Sequence, residues 1–123
     1  MPRTNRATEE LKDYGPVAET SADLGGYTAS FTTFKIDLDG APMLKGLVND
    51  RCQCPHWGYV LRGSISFGYD DHVEVFETGD AFYVPADHTN AVSADTEVVM
   101  FSPTEELAVT EAAIMRNMAA MQH

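Results

Sequence analysis

Basic side chains are scarce in this chain. Eight lysines and arginines stand against nineteen aspartates and glutamates, giving a net charge of -11 and a pI near 4.5. Without a basic stripe to neutralise phosphates, the composition argues against a nucleic-acid partner, and it disfavours anionic membrane surfaces on the same ground. Arg3, Arg6 and Lys12 are scattered rather than clustered. Long apolar runs are missing too. No stretch approaches the ~18 consecutive apolar residues of a membrane span, and no apolar segment follows the N-terminal arginines as a secretory signal would require. Cysteine is limited to Cys52 and Cys54. A disulfide two positions apart would close a trivial loop, with Cα atoms near the upper edge of the usual range of about 4.4–6.8 Å. A reduced, cytoplasmic setting is therefore expected. Internal repeats, low-complexity tracts and interdomain linkers are also lacking, so the 123 residues are read as one domain with its own hydrophobic core.

What the chain does contain is concentrated. In Cys52-Gln53-Cys54-Pro55-His56, both cysteines and one of the four histidines fall at i, i+2 and i+4. On an extended strand such residues share a face, about 6–7 Å apart along the backbone, and can converge on one metal ion.

Around this run the sequence is strand-like. Tyr27 to Ile36 is rich in β-branched and aromatic residues, and Met43 to Val48 is read as a short edge strand. Further strands are expected at 52–61, 64–69, 72–77, 81–84, 89–93 and 96–101, separated by turn residues such as Gly63, Asp70-Asp71, Thr78-Gly79-Asp80 and Pro85-Ala86-Asp87. Short strands at this spacing indicate a β-sandwich or barrel. Residues 1–26 read as a polar arm with a short helix over Thr8–Tyr14, and residues 27–102 as the barrel. For 103–123 a helix is expected, with Ser102 as cap, Pro103 at its first position, and Leu107, Ile114, Met118 and Met121 on one face against the barrel or a second subunit.

Two segments resemble the paired motifs of the cupins. His56 to Gly63 is similar to the end of the first motif, an apolar strand running into a glycine turn. Gly79 to His88 is similar to the second: Gly-Asp, an apolar strand, then a proline-led turn before a histidine. The resemblance covers about residues 52–101 and implies an all-β fold, a cupin-type jelly-roll β-barrel with a C-terminal α-helix. It also implies a metal site of two histidines, a glutamate and a further histidine. Here the glutamate position holds His56, and the two-histidine positions fall near Asp50 and Cys52, or on Cys52 and Cys54 with a small deletion. The second-motif histidine position holds Asn90, with His88 two residues earlier.

A metal site must then be rebuilt from Cys52, Cys54, His56 and His88. Thiolate and imidazole together favour a divalent transition metal, zinc first. Four ligands would close the site; three would leave a position for water or a small organic molecule. The competing reading makes the cysteines small buried hydrophobes and the histidines hydrogen-bonded barrel residues. His72, beside a hairpin turn, and His123, at the terminus, are expected to be surface residues. Trp57 and Tyr59 should point away from the ligand face, while some of Tyr27, Phe31, Phe67, Phe82 and Tyr83 should line the interior.

Function divides three ways. The first is a metal-binding cupin with a small-molecule ligand inside the barrel and isomerase- or oxygenase-type chemistry. The second is a metal-free binding or sensing module. The third is a redox-responsive thiol protein, which requires His56 to lower a cysteine pKa. A homodimer is expected, because small β-sandwiches cover edge strands and apolar faces by pairing.

Overall fold

The computed structural model describes residues 3–121, so His123 lies outside the described residues. Ten strands form two antiparallel sheets: β1 (Lys12–Asp13), β2 (Val17–Leu24), β3 (Tyr27–Phe34), β4 (Leu38–Asp39), β5 (His56–Arg62), β6 (Ser64–Gly68), β7 (Val73–Glu77), β8 (Ala81–Val84), β9 (Thr89–Val92) and β10 (Thr96–Pro103). One sheet has the order β1-β2-β3-β10-β5-β8 and the other β4-β9-β6-β7. Among the described residues a single long helix, α1 (Thr104–Met121), follows β10. The expected all-β architecture with one C-terminal helix is what the chain adopts.

The core lies between the sheets. Phe34, Val60, Val98, Phe82 and Val84 from the first sheet meet Ile65, Phe67 and Val92 from the second. Strand alternation places these on one face and sends Trp57 and Tyr59 outward, where both stay exposed. Phe67 and Phe82 are interior, as some of the strand aromatics had to be, whereas Tyr27 and Tyr83 lie exposed outside. Gly58 faces inward opposite Phe82. A Cβ there would come 2.5 Å from the Phe82 ring and 2.7 Å from the Val99 carbonyl, so this glycine makes room for the core ring.

The structure departs from the sequence-based assignment in four places. The short helix expected at Thr8–Tyr14 is not formed. Asn5 closes a turn through its carbonyl and side chain, and Asp13 accepts the Gly15 N–H, so local side-chain bonds compete with helix. The supposed polar arm contains the whole of β2, which pairs with β3 across Gly25-Gly26. Both glycines have positive φ (68° and 88°), as a two-residue hairpin turn demands. The edge strand expected at Met43–Val48 is replaced by two 3-10 turns, Ala41–Leu44 and Val48–Asp50. Pro42, at the start of the first, favours that conformation and cannot donate to a ladder. Finally, regular pairing of β5 begins only at His56, because Pro55 lacks an N–H; Cys52 makes one isolated bridge, to His88.

Candidate metal centre

Cys52 and His88 lie 36 positions apart but are joined by main-chain bonds in both directions. The Cys52 N–H donates to the His88 carbonyl (2.8 Å), and the His88 N–H donates back to the Cys52 carbonyl (3.1 Å). Asp87, in a left-handed conformation (φ 75°), secures the joint. Its carboxylate accepts from the side chains of Asn49 (3.2 Å), Arg51 (3.3 Å) and Gln53 (3.0 Å). These bonds hold the Asp87 pKa below the usual carboxylate range. The segment before β5 is thus fixed against the turn before β9.

That joint brings three ligand-type side chains together. One potential ligand atom from each of Cys52, His56 and His88 lies within 4.8 Å of the others, and all three residues are buried. Cys52 Sγ is 3.6 Å from His56 Nε2. Two ligands on a tetrahedral zinc, at bond lengths of about 2.3 Å to sulfur and 2.0–2.1 Å to nitrogen, stand about 3.5 Å apart. The imidazoles of His56 and His88 meet edge to face with centroids 5.1 Å apart. Phe67 stands perpendicular to His88 at 5.3 Å.

The outer nitrogens are engaged. His88 Nδ1 donates to the Pro85 carbonyl (2.8 Å). A carbonyl can only accept, so the proton sits on Nδ1 and Nε2 keeps a free lone pair. His56 Nδ1 contacts the Ser102 hydroxyl at 2.7 Å. Burial depresses the pKa of His56 to about 3, helped by His88, and lowers that of His88 against the opposing pull of the Pro85 carbonyl. Both rings are neutral at pH 7, the form that ligates metals.

Cys54 occupies different surroundings. It is fully buried, but its sulfur contacts the carbonyls of Pro55 (3.4 Å) and Pro103 (3.9 Å), and it is not part of the three-residue group. Burial is the main cause pushing its thiol up to about 12, and burial likewise raises Cys52. Both shifts run opposite to what a reactive thiol needs. His72 is half-exposed, bonds Asp71 at 2.6 Å and stacks on Tyr69, whose other neighbour is the His88 ring at 6.5 Å; it is not one of the three grouped residues.

Two hydroxyls complete the surroundings. Ser102, expected to cap the helix, instead lies in β10 with its side chain on His56; the helix begins two residues later at Thr104. Thr110 of α1 places Oγ1 3.4 Å from Cys52 Sγ. Helix α1 seals this side, with Leu107 and Ile114 packing on Leu44, Cys52 and Cys54. Thr110 also lines a surface groove of about 290 Å³, together with Leu47, Val48, Gln53, Glu106 and Val109. Only its position between Leu107 and Ile114, a polar residue on an apolar stripe, marks Thr110 in the sequence.

No family model matches the chain, and no curated protein matches its sequence. Solved structures do match in fold. An RmlC-like cupin from Shewanella frigidimarina NCIMB 400 is 19% identical, with TM-score 0.57 over 81% of this chain and 88% of that one. KdgF from Halomonas sp. is 18% identical, with TM-score 0.57 over 80% and 90%. The polyketide cyclase RemF from Streptomyces resistomycificus is 14% identical, with TM-score 0.61 over 84% and 79%. Among the described residues, no helix is long and apolar enough to cross a membrane. The two antiparallel sheets and these structural neighbours together show that the chain has a cupin-like fold.

Proposed function

We propose that the protein binds one divalent transition metal ion, zinc first, through Cys52 Sγ, His56 Nε2 and His88 Nε2, and that a small organic ligand takes the remaining position. The observation that carries this reading is the His88–Pro85 bond, which fixes the tautomer and leaves a lone pair for the site. The Ser102 hydroxyl, 2.7 Å from His56 Nδ1, can accept a proton from that nitrogen and so leave Nε2 for the metal. Cys54, considered as a fourth ligand on sequence spacing, has its sulfur turned to Pro55 and Pro103, which favours a three-residue set with one open position. A zinc ion held there would act as a Lewis acid on a bound carbonyl or hydroxyl. Zinc has no redox chemistry of its own, so an isomerase-type step is favoured over an oxygenase-type one. One solved structural neighbour is a polyketide cyclase, a further sign that the fold accommodates rearrangement of small organic molecules.

Protein purified without an affinity tag is expected to carry about one equivalent of zinc. Cys52→Ser and His88→Ala should each reduce it well below half, read by elemental analysis. Metal-free wild-type protein that takes up no zinc on titration would overturn the reading.

A metal-free binding or sensing module is the second reading, and one contact favours it. The Cys52 thiol can donate to His56 Nε2 at 3.6 Å, so the polar group is satisfied without a metal. A redox thiol role is opposed by the raised pKa of both cysteines. The assembly we propose is a homodimer, with a second copy covering the exposed aromatic face of the six-stranded sheet.

A further inference from the structure

Helix α1 is fastened to the rest of the chain at three places. At its start, the Thr104 N–H donates to the Gly26 carbonyl (2.9 Å) and the Thr104 and Thr28 hydroxyls share a bond (2.9 Å). Towards its end, the Asn117 amide donates to the Met43 and Lys45 carbonyls (2.7 and 2.9 Å). Between them, Thr110 Oγ1 meets Cys52 Sγ at 3.4 Å. The outer two join the helix to the scaffold, while the middle one reaches a residue of the metal site.

Thr110 is buried on a stripe otherwise formed by Leu107, Ala113 and Ile114. A hydroxyl there costs free energy unless it is bonded, so valine would suit the packing as well. Its partner is a sulfur whose character depends on metal. As a thiol, Cys52 is a weak acceptor. On ligation the S–H proton passes to solvent, a sulfur lone pair goes to the metal, and the thiolate becomes a strong, charged acceptor. The Thr110 O–H must then donate.

Building on the metal site proposed above, we infer that Thr110 is a positioning residue that holds the Cys52 sulfur in its ligating orientation and couples docking of helix α1 to occupancy of the site. Metal binding tightens the middle fastening. Metal loss weakens it, beside the surface groove that Thr110 also lines.

The test compares wild type, Thr110→Val and Thr110→Ser, each full-length, with zinc and with chelator. Amide hydrogen exchange across α1 should slow on zinc binding in the wild type and in Thr110→Ser. In Thr110→Val the zinc-dependent slowing should vanish, and zinc affinity should fall about tenfold, as for other residues that orient a metal ligand. With cobalt(II) in place of zinc, the sulfur-to-metal charge-transfer band should move to longer wavelength in Thr110→Val and stay in place in Thr110→Ser; lost packing alone would not separate the two. Zinc binding without any change in α1, or a Thr110→Val protein that matches wild type in exchange and spectrum, would overturn the coupling while leaving the metal site standing. Absence of zinc binding in the wild type would overturn both.

Discussion

His56 joins three roles in one side chain. It lies on the interior face at the start of β5, bonds Ser102 through one nitrogen and faces Cys52 with the other. Removing it takes away one partner of the buried Ser102 hydroxyl, whose other neighbour is the Cys54 thiol, and takes away a proposed ligand. His56→Ala should therefore abolish stoichiometric zinc binding while the protein still folds. His72→Ala, at the solvated hairpin, should change neither metal content nor urea midpoint. Equal effects would mean that the site is elsewhere. Protonation offers a second check. In chelated protein, folded His56 and His88 have pKa values below the unfolded value of about 6.5, so the unfolded chain binds more protons as pH falls. Their contribution is complete above pH 6.5 and falls as the pH drops below it, for His56 down to about pH 3, at no more than about 1.4 kcal/mol per pH unit for each histidine. Denaturation midpoints of chelated wild type should fall across that window, and more steeply than those of His56→Gln. Cys52, His56 and His88 stand out in the sequence because ligand chemistry is rare and these residues fall within or beside recognisable motifs. His88 remains usable although it lies two residues from the usual position, since a shift of two keeps strand parity. Ser102 and Thr110 stand out less, because a hydroxyl announces its role only through a partner distant in sequence.

Strand β2 shows what element-level reading misses. Its eight residues, Val17 to Leu24, are mostly small or polar and carry little β propensity, yet it pairs along the full length of β3. The sheet imposes a conformation that the segment does not announce. The C-terminal helix is legible because its period extends over several turns, whereas Met43–Val48, just after Pro42, has apolar residues that suggest a strand but lies among two 3-10 turns. β2 also brings an acid to the helix. Burial is the main cause that raises Glu19 to about 7, with Glu111 of α1 adding to it and Lys12 opposing. A folded pKa above the unfolded one means that a penalty is absent below about pH 4.5 and complete above pH 7. Glu19→Gln should then raise the thermal midpoint at pH 8 and leave it nearly unchanged near pH 4. The gain at pH 8 should be on the order of 1 kcal/mol, since Glu19 is only half-buried and water screens part of the effect. A gain of the same size at both pH values would show that the carboxylate charge is not the cause.

At the scale of the whole molecule, the outer face of the six-stranded sheet carries a cluster of exposed aromatic side chains. Phe101, Trp57 and Tyr83 stand directly opposite one another across β10, β5 and β8, with Tyr27 edge-on to Trp57 at 6.1 Å and Tyr59 one row away. All five are exposed by two-fifths or more. These aromatic side chains carry no charge, so in a chain of net charge -11 they offer a surface on which two copies can pair, which is why a homodimer is the proposed assembly. Trp57→Glu combined with Phe101→Glu should shift the sedimentation coefficient from dimer to monomer without loss of bound zinc. A wild type that sediments as a monomer at micromolar concentration would remove the basis for this assembly.

The position of β10 has a consequence for how the chain reaches its native state. The last strand in sequence is a central one in space, lying between β3 and β5. Until residues 96–103 leave the ribosome, β3 and β5 each lack a neighbour, and the earlier strands cannot close around Val60 and Phe82. Closure of this sheet must therefore wait for residues 96–103, and its rate is set by long-range pairing rather than by local turns. During synthesis two unpaired strand edges stand open, so the chain is most vulnerable to aggregation until residues 96–103 have emerged.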